Sequence, residues 1–382
     1  MVNVDNANEI LKNYYIDAIN KQLSGDVSPF YNAIQKSSEN IVGKEVWATV
    51  AYGTLSGVAA LGESDDLPTP REDNYFTIAL DLKNIYGTIE LSDKAIRASA
   101  HSAGPFINLL NAETEGLVKS AKANLARMLY GDGNGTLCEI VSKKAKTEIY
   151  VNNAKSYMAG LKVEVCLSDR TINTIISSVK AEEGIIGLGI DLDSYTVSGG
   201  EKIRLKGAYD NELMGLAAIF DSPNLYGQFK MNNFINTYER TRTLDSLTEA
   251  DLIEVLDILE ERGDGKPNMI LCSHKTRNKI ALLTSNSRRI VNSMDIAAGY
   301  SSIYVNEVPV YADKFCPEDR IYILNTDDFV LSQLCDWSWI EGENGKILRQ
   351  IPGKAAYSAT LVMYAQLFCK NPYAQGLIRL SN

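Results

Sequence analysis

The stretch LARMLYGDGNGTL, Leu125 to Leu137, places three glycines at alternate positions directly after a helical pattern. Glycines that bind a phosphate follow a strand and precede a helix, because the amino end of that helix faces the anion. Here the carbonyl end of a helix faces the loop, and no Gly-Lys-Ser or Gly-Lys-Thr ending follows. An EF-hand loop starting at Asp132 would need glycine in place of Leu137 and glutamate in place of Lys143. The stretch therefore indicates the end of a helix, with Gly131 as its left-handed cap.

The helix that ends here is predicted to be long. Pro105 suits a first helical position, and the pattern continues to about Tyr130. Its inward side recurs at spacings of three and four residues, at Ile107, Leu110, Thr114, Leu117, Ala121, Leu125 and Met128. At about 1.5 Å per residue the helix is ~40 Å long, which is enough to support a domain. A shorter helix capped by Ser92 is predicted just before it.

Two stretches upstream of this helix alternate with the period of a β-strand. One face carries Val46, Ala48, Val50 and Tyr52 in the first stretch and Phe76, Ile78, Leu80 and Leu82 in the second. An acidic loop with Pro68 and Pro70 joins them. Two strands cannot bury both of their faces, so this long hairpin either folds back onto its own domain or rests on a neighbour.

The chain begins with a predicted amphipathic helix. Its apolar stripe consists of Ile10, Leu11, Tyr14, Tyr15, Ala18, Ile19 and Leu23. Such a stripe needs a surface to lie on, either in this chain or in another.

The middle of the chain changes character. Short β-like runs between Tyr157 and Gly207 predict a small β-barrel inserted between helical parts. The last third alternates strands and helices, including a helix for which Thr248 serves as N-cap. The run KAAYSATLVMYAQLFCKNP is either a helix or a long buried strand.

Composition excludes several classes of protein. The 382 residues carry a formal charge of −10, and no dense block of Lys and Arg is present, which disfavours binding of free nucleic acid. The nearest basic stretch, Ser142 to Lys146, is interpreted as solvated surface. The six cysteines are scattered without a CxxC pair, so a zinc site is not expected and the thiols are predicted to be reduced and mostly buried. Neither a membrane-spanning run nor a secretory signal is found.

Candidate chemical groups are few. His101 and His274 have no evident catalytic partners, and a surface or structural role is favoured for each. The acidic cluster from Glu63 to Asp66 could bind a cation, but a solvated loop tip is favoured. The stretch CDWSW, Cys335 to Trp339, is interpreted as core or interface rather than as a ligand cage. We therefore predict no catalytic, cofactor-binding or metal-binding residues, and no enzyme.

In their order, these parts resemble the major capsid protein of tailed bacteriophages, the Hong Kong 97-like family. The resemblance covers nearly the whole chain and is specific in the sequence of its motifs rather than in any one of them. It rests on GTIELSDKAIRAS, LYGDGNG, GAYDNELMGLAAIF, KPNMILCSHKTRNKIALL, VNEVPVYADKF and the closing GKAAYSATLVMYAQLFCKNPYAQGLIRL.

The resemblance implies an α+β fold with a small β-barrel-like insertion. The implied segments are an N-terminal arm (1–44), an extended E-loop hairpin (45–91), a P-domain with the long spine helix (92–157), the β-rich insertion (158–207), an A-domain (208–335), a P-domain return (336–372) and a C-terminal A-domain segment (373–382).

The resemblance also implies a function. The chain would self-assemble into hexamers and pentamers of an icosahedral head shell around double-stranded DNA, which it would enclose without sequence-specific binding. The implied partners are further copies of the chain, a separate scaffolding protein, a portal protein and a decoration protein, with no membrane and no cofactor. The implied location is the virion, after assembly in the cytoplasm of a bacterial host. A negative shell suits densely packed DNA, which must not adhere to the wall.

Alternatives stay open at this stage. An encapsulin-like compartment would share the fold but enclose a cargo enzyme. A nucleotide-binding enzyme built around the glycine loop and a tail or other virion component are the other candidates. Some relatives join a hairpin Lys covalently to a P-domain Asn; Lys83 and Asn371 are the positions that would have to serve, although neither lies in a matching motif.

Overall fold

A computed structural model describes residues 27–51, 60–62, 66, 75–94, 103–154, 159–221, 224–230, 241–263, 265–284, 303–342 and 345–381. The fold is a mixture of helices and strands. Its contacts divide the chain into two compact units, each assembled from separate stretches of sequence. The first unit takes 1–28, 83–218 and 335–365, and the second takes 29–82, 219–334 and 366–382.

The helices, numbered in chain order, are α1 (Pro29–Ala33), α2 (Ala103–Met128), α3 (Leu216–Phe220), α4 (Glu249–Gly263) and α5 (His274–Leu283). The strands are β1 (Gln35–Ser37), β2 (Ile41–Val42), β3 (Glu45–Ala51), β4 (Tyr75–Asp81), β5 (Lys83–Ser92), β6 (Thr136–Lys143), β7 (Glu148–Val151), β8 (Lys162–Cys166), β9 (Thr171–Lys180), β10 (Ile185–Leu188), β11 (Lys202–Leu205), β12 (Asn224–Leu225), β13 (Phe229–Lys230), β14 (Thr241–Leu244), β15 (Met269–Cys272), β16 (Ile303–Val305), β17 (Val308–Ala312), β18 (Arg320–Leu324), β19 (Phe329–Trp339), β20 (Arg349–Gln350), β21 (Ala356–Cys369) and β22 (Gly376–Leu380).

The first unit packs the long helix α2 on a sheet. Strand β5 pairs antiparallel with β21 over ten residue pairs, from Ser92 opposite Ala356 to Lys83 opposite Ala365. At Gly87 an added Cβ would lie only 2.5 Å from a methyl group of Leu117, so the missing side chain lets α2 approach the strand. The apolar run KAAYSATLVMYAQLFCKNP, for which helix and strand were both open, thus forms the long strand β21.

The second arm of the predicted hairpin is shorter than expected. The structure divides it between β4, which pairs with β3, and β5, which pairs with β21 in the first unit. The hairpin therefore ends at Asp81 rather than at residue 91. The apolar positions are even-numbered up to Leu82 and odd-numbered from Ile85, so the alternation shifts by one residue where the partner changes.

A short segment closes the carbonyl end of helix α2. The amides of Gly215 and Leu216 donate to the carbonyl oxygens of Gly131 and Leu129, at 3.0 and 2.8 Å. These carbonyl groups would otherwise lack a partner, because the last turn of a helix has no amides above it. Asp132 forms a bridge with Met214 in the same stretch.

The predicted left-handed cap at Gly131 is wrong. Gly133 and Gly135 adopt positive φ values of 91° and 70°, and Gly131 does not. The helix ends instead through a tight turn, in which the amide of Gly131 donates to the carbonyl of Met128 at 3.0 Å. At Gly135, an added Cβ would meet the carbonyl oxygen of Ala208 at 2.5 Å. The glycines of this loop therefore serve close packing of the 208–215 segment.

A buried ion pair fixes the same junction. Both terminal nitrogens of Arg127 donate to the carboxylate of Glu212, at 2.9 and 2.5 Å. The Arg127 side chain is 13% exposed and the Glu212 side chain 4%. The bidentate geometry satisfies both charges away from water, and this matters because an unpaired buried charge is costly.

The predicted β-barrel is present and closed, with strand order β10-β7-β6-β11-β8-β9. Its interior is filled by alternating aliphatic residues, including Ile140, Val163, Val165 and Ile203. The barrel begins at Thr136, earlier than the predicted residue 158. Strands β6 and β7 are needed to close the ring, since β6 lies between β7 and β11.

The second unit contains a six-stranded mixed sheet with the order β14-β22-β18-β15-β17-β16. Helices α4 and α5 share one apolar cluster with this sheet, to which α4 contributes four residues and α5 contributes Ile280. Thr248 caps α4 as predicted, because its hydroxyl accepts from the amide of Asp251 at 3.3 Å while its own amide donates to the Asp251 carboxylate at 2.9 Å.

The described part of the hairpin folds onto its own unit. Strands β2, β3 and β4 form a three-stranded sheet. One face is buried, with Val46, Val50, Ile78 and Leu80 each at most 2% exposed. The first arm of the hairpin, strand β3, therefore buries the face that carries Val46 and Val50, as predicted. The helix expected from Ile10 to Leu23 and most of the helix expected after Ser92 lie outside the described residues.

We expect Gly215→Ala to destabilise the unassembled subunit. The added methyl group would lie 2.5 Å from the Met128 carbonyl oxygen and closer still to that of Leu129. Overpacking against backbone costs about 1–3 kcal/mol. Urea unfolding should show this loss.

Gly116→Ala is the matched control, because Gly116 lies in helix α2 and an added Cβ there meets nothing within 4 Å. That change should leave stability equal or raise it by about 0.5–1 kcal/mol. Equal midpoints for the parent and the Gly215 variant would contradict the account of the helix end.

Candidate assembly surfaces

Only some of the residues that sequence reasoning selected for chemistry lie in the described part of the chain. His274 is exposed at the start of α5, and Asp66 is exposed in the hairpin loop. His101 and Glu63 to Asp65 lie outside the described residues. Within the described ranges, no group of three His, Cys, Asp or Glu side chains is arranged to hold a metal ion. No helix of those ranges has the length and apolar character needed to cross a membrane.

The CDWSW stretch forms part of the core, which agrees with the interpretation as core or interface rather than as a ligand cage. Trp337 is 1% exposed and Trp339 7% exposed, and both lie in β19. Their burial in a strand leaves no room for the ligand-cage reading, since a cage needs an open face for the ligand.

The cysteines are free thiols, and four of the six are buried, as predicted. Burial raises the pKa of the Cys272 thiol to about 12, and it also raises the pKa of Cys316. A thiol held protonated is a poor nucleophile and a poor metal ligand, so these two side chains act as packing residues.

The basic stretch from Ser142 to Lys146 lies on the barrel surface, and acidic side chains surround it. Each of its three lysines has an acidic partner: Lys143 with Asp193 at 2.8 Å, Lys144 with Glu148 and Glu183 at 3.6 Å, and Lys146 with Asp191 and Asp193 at 3.6 Å. The hydrogen bond from Lys143 is the main reason why the pKa of Asp193 is lowered. The stretch is thereby neutralised locally and presents no bare cationic patch to a phosphate backbone.

The two positions nominated for a covalent cross-link have structural roles in separate units. The Lys83 ammonium donates to the backbone carbonyl of Asp210 at 2.8 Å. The Asn371 side chain accepts from the amide of Tyr373 at 3.2 Å, which caps a short 3-10 helix. The nomination stays a hypothesis.

The open face of the hairpin sheet is the first surface suited to a partner. Trp47 is 50% exposed there, and Val42 on the same face is 63% exposed. The indole nitrogen of Trp47 donates to Glu45 at 2.8 Å, and this bond fixes the ring on the surface. Sequence reasoning did not select Trp47, although the burial of its neighbours at 46 and 48 already implied that it points the other way.

A second surface lies on the sheet of the first unit. Tyr86 is 57% exposed and meets the ring of Tyr364 edge-on, with centroids 6.4 Å apart. Partial burial, and secondarily Tyr86, raises the pKa of Tyr364. Thr88 and Thr360 share a hydrogen bond at 3.2 Å on the same strands. Aromatic rings flanked by hydroxyl groups are typical of protein contacts rather than of catalytic clefts.

Comparison with known proteins identifies the fold. No protein-family model matches the chain. The cyanophage A-1(L) capsid asymmetric unit is similar over 92% of both chains, with a TM-score of 0.55 and 12% identity. The capsid of an empty GTA particle is similar over 94% of this chain and 91% of its own, with a TM-score of 0.51 and 9% identity. The α+β fold of tailed-phage capsid proteins, with its six-stranded barrel, is therefore confirmed.

Two further likenesses carry less weight. The SrpI encapsulin of Synechococcus elongatus covers 93% of this chain at 11% identity, but with a TM-score of only 0.43. The Replication-associated recombination protein A of Coxiella burnetii is 24% identical over 174 residues. That match takes in 45% of this chain and spans 37% of the length of the curated relative.

Trp47 should provide the fluorescence that a water-soluble quencher can reach in the unassembled subunit. The other two tryptophans are buried, so we expect Trp47→Phe to remove most of the acrylamide-sensitive emission and shift the remainder to shorter wavelength. Trp339→Phe is the control and should leave the quenchable component in place. Undiminished quenching in the Trp47 variant would show that the open hairpin face is wrongly assigned.

Proposed function

We propose that this chain is the major capsid protein of a tailed bacteriophage, the subunit of an icosahedral head shell built from hexamers and pentamers around double-stranded DNA. The observation that carries the proposal is the likeness to a cyanophage capsid subunit over 92% of both chains. A shared fold does not fix a function, but a shell subunit needs no active site, and exposed aromatic surfaces are what it does need.

The predicted segments can be assigned to the two units on this basis. The first unit, with helix α2 as its spine and the inserted barrel, corresponds to the P-domain. The second unit, with the six-stranded sheet and helices α4 and α5, corresponds to the A-domain. Strands β3 and β4 form the base of the E-loop, and residues 1–44 belong to the N-terminal arm. The hairpin face around Trp47 would rest on an adjacent subunit.

The charge distribution supports a passive relation to DNA. The chain has a net charge of −10, and its most basic stretch on the barrel is locally neutralised. A wall of this kind repels a phosphate backbone instead of binding it. We propose accordingly that the DNA is enclosed without sequence-specific contacts.

The remaining partners follow from the proposed role. A separate scaffolding protein would set the size of the shell, a portal protein would replace one pentamer, and a decoration protein could bind the outside. Assembly would take place in the cytoplasm of the host, and the mature protein would reside in the virion.

None of the three alternatives is favoured by a specific observation. An encapsulin-like compartment rests on a weaker structural likeness than the phage proposal. The glycine loop is occupied by packing against the 208–215 segment, which argues against a nucleotide site there. We therefore propose a structural protein without enzymatic activity.

Electron microscopy of the full chain, expressed alone and together with a candidate scaffolding protein, tests the proposal. We expect closed shells, on the order of tens of nanometres wide, whose lattice contains hexamers and pentamers. DNA in native particles would support the phage assignment, and a cargo protein would support the compartment. Monomers or small oligomers at high concentration with the scaffolding partner present would contradict shell formation.

Assembly should also shield Trp47. If the hairpin face contacts a neighbour, acrylamide should quench the shells less than the free subunits, because the indole would be removed from water. Trp47→Phe shells provide the baseline, since they retain only the two buried tryptophans. Equal quenching before and after assembly would place the contact elsewhere.

A further inference from the structure

Helix α4 of the second unit presents a strongly acidic outer side. Six of its 15 residues are acidic and one, Arg262, is basic. Glu254, Asp257, Glu260 and Glu261 are exposed, while the leucines and valine between them belong to the apolar core. The exposed acids are therefore spaced three and four residues apart along one side of the helix.

This arrangement is unfavourable for the isolated subunit. Acidic residues at spacings of three and four repel one another on a helix surface. Glu260 and Glu261 also lie in the last turn, where the helix dipole favours cations instead. A cationic surface placed against this side would relieve both effects.

Helix α5 of the same unit carries the opposite charge, and its charges oppose the helix dipole at the other end of the helix. It contains Lys275, Arg277 and Lys279 and no acidic residue. Lys275 and Lys279 are both exposed and lie one turn apart. Two of the three cations are in the first turn, where the dipole favours anions.

Contacts within the subunit neutralise only part of these charges. Arg242 pairs with Glu254 through two hydrogen bonds of 2.6 and 2.5 Å. Lys275 pairs with Glu318 at 3.1 Å. Within the described stretches of the chain, the acids Asp257, Glu260 and Glu261 and the cation Lys279 take part in no ion pair.

Both charged sides point away from the same sheet. Helices α4 and α5 join a single apolar cluster on one sheet face, with α4 against β22 and β16 and α5 against β17. Each subunit thus carries an acidic surface and a basic surface on different elements. Two different, mutually complementary surfaces on one molecule are what a head-to-tail contact needs, and head-to-tail contacts form a ring when the rotation between successive copies closes.

We infer that the acidic side of α4 on one copy docks against the basic side of α5 on the next copy, as the ring-forming contact of the capsomer. The occupant of each surface is a second copy of this chain. This inference rests on the proposed shell function and adds to it which helices meet and by what chemistry. Since the contact is electrostatic, raising the ionic strength should weaken ring formation.

Charge reversal tests the contact. The acid-reversed chain carries Asp257→Lys, Glu260→Lys and Glu261→Lys, and the base-reversed chain carries Arg277→Glu and Lys279→Glu. Each chain alone would oppose like charges across the contact, so we expect the assembled fraction to fall by about tenfold or more. A third chain with all five changes restores complementarity with inverted sign and should assemble again.

Thermal unfolding of the free subunits separates this effect from misfolding. Acid reversal places cations at the carbonyl end of α4, and Arg277→Glu places an anion in the first turn of α5. Both changes agree with the helix dipoles, so neither chain should melt below the parent. Loss of assembly without loss of stability is the expected result.

A mixture of the two reversed chains gives a stricter test. A copy with two basic surfaces fits between copies with two acidic surfaces, so the mixture should form rings in strict alternation. Alternation closes only for even numbers of subunits. We expect hexamers to form and pentamers to be absent, which native mass spectrometry of the capsomers would show.

Three outcomes would overturn the inference: unimpaired assembly of either reversed chain, no recovery in the five-change chain, or pentamers as abundant as hexamers in the mixture. If acid reversal blocked assembly only when scaffolding protein was present, and the five-change chain did not recover, the acidic side would bind scaffold instead. If the parent chain itself formed no shells with scaffold, the proposed function would fail, and the two failures are therefore distinguishable.

Discussion

The carbonyl end of helix α2 is the constraint on which the first unit depends. Its last carbonyl groups need donors, and the amides of Gly215 and Leu216 supply them from a segment that lies about 85 residues further along the chain. Arg127 and Glu212 add a charged clamp at the same point. The chain between the end of α2 and Gly215, including the whole barrel, is therefore an insertion whose two ends meet at one junction. The barrel has no free strand edges, so it can be carried there without altering the helix or the sheet.

Strand faces decide which surfaces remain for other subunits. In the hairpin sheet, Val46 and Val50 point inward and Trp47 points outward, so the same alternation that stabilises the unit also displays an aromatic ring. Strand β5 does the same with Ile85 and Tyr86. Exposed aromatic side chains are costly for an isolated subunit and useful for an assembling one.

Local sequence patterns predicted the features that depend only on neighbouring residues. The alternation around Val46 predicted both the strand and its buried face, the spacing from Thr114 to Met128 predicted the helix, and Thr248 predicted a cap. Errors arose where a distant partner decides the outcome. Gly131 resembled a cap because the 214–216 segment that replaces the cap lies far away in sequence. Strand β21 was ambiguous because residues 365–369 are buried on both faces, which removes any periodicity. The division of residues 75–92 between two sheets did leave a local trace, because the apolar positions change from even to odd numbers between Leu82 and Ile85.

The charged helices of the second unit connect fold to assembly. Their inward residues, such as Leu252 and Ile280, pack on the sheet, whereas the acids in the last turn of α4 and the cations in the first turn of α5 oppose the helix dipoles. A sequence selected only for subunit stability would place acids at helix amino ends and bases at carbonyl ends. The acids in the last turn of α4 and the cations in the first turn of α5 make sense when each of these helix ends lies next to the other helix of a neighbouring copy. A single electrostatic contact of this kind is weak, but in a closed ring every subunit forms it with both neighbours, and together these contacts hold the ring. The weak single contact therefore allows misplaced subunits to leave before the shell closes.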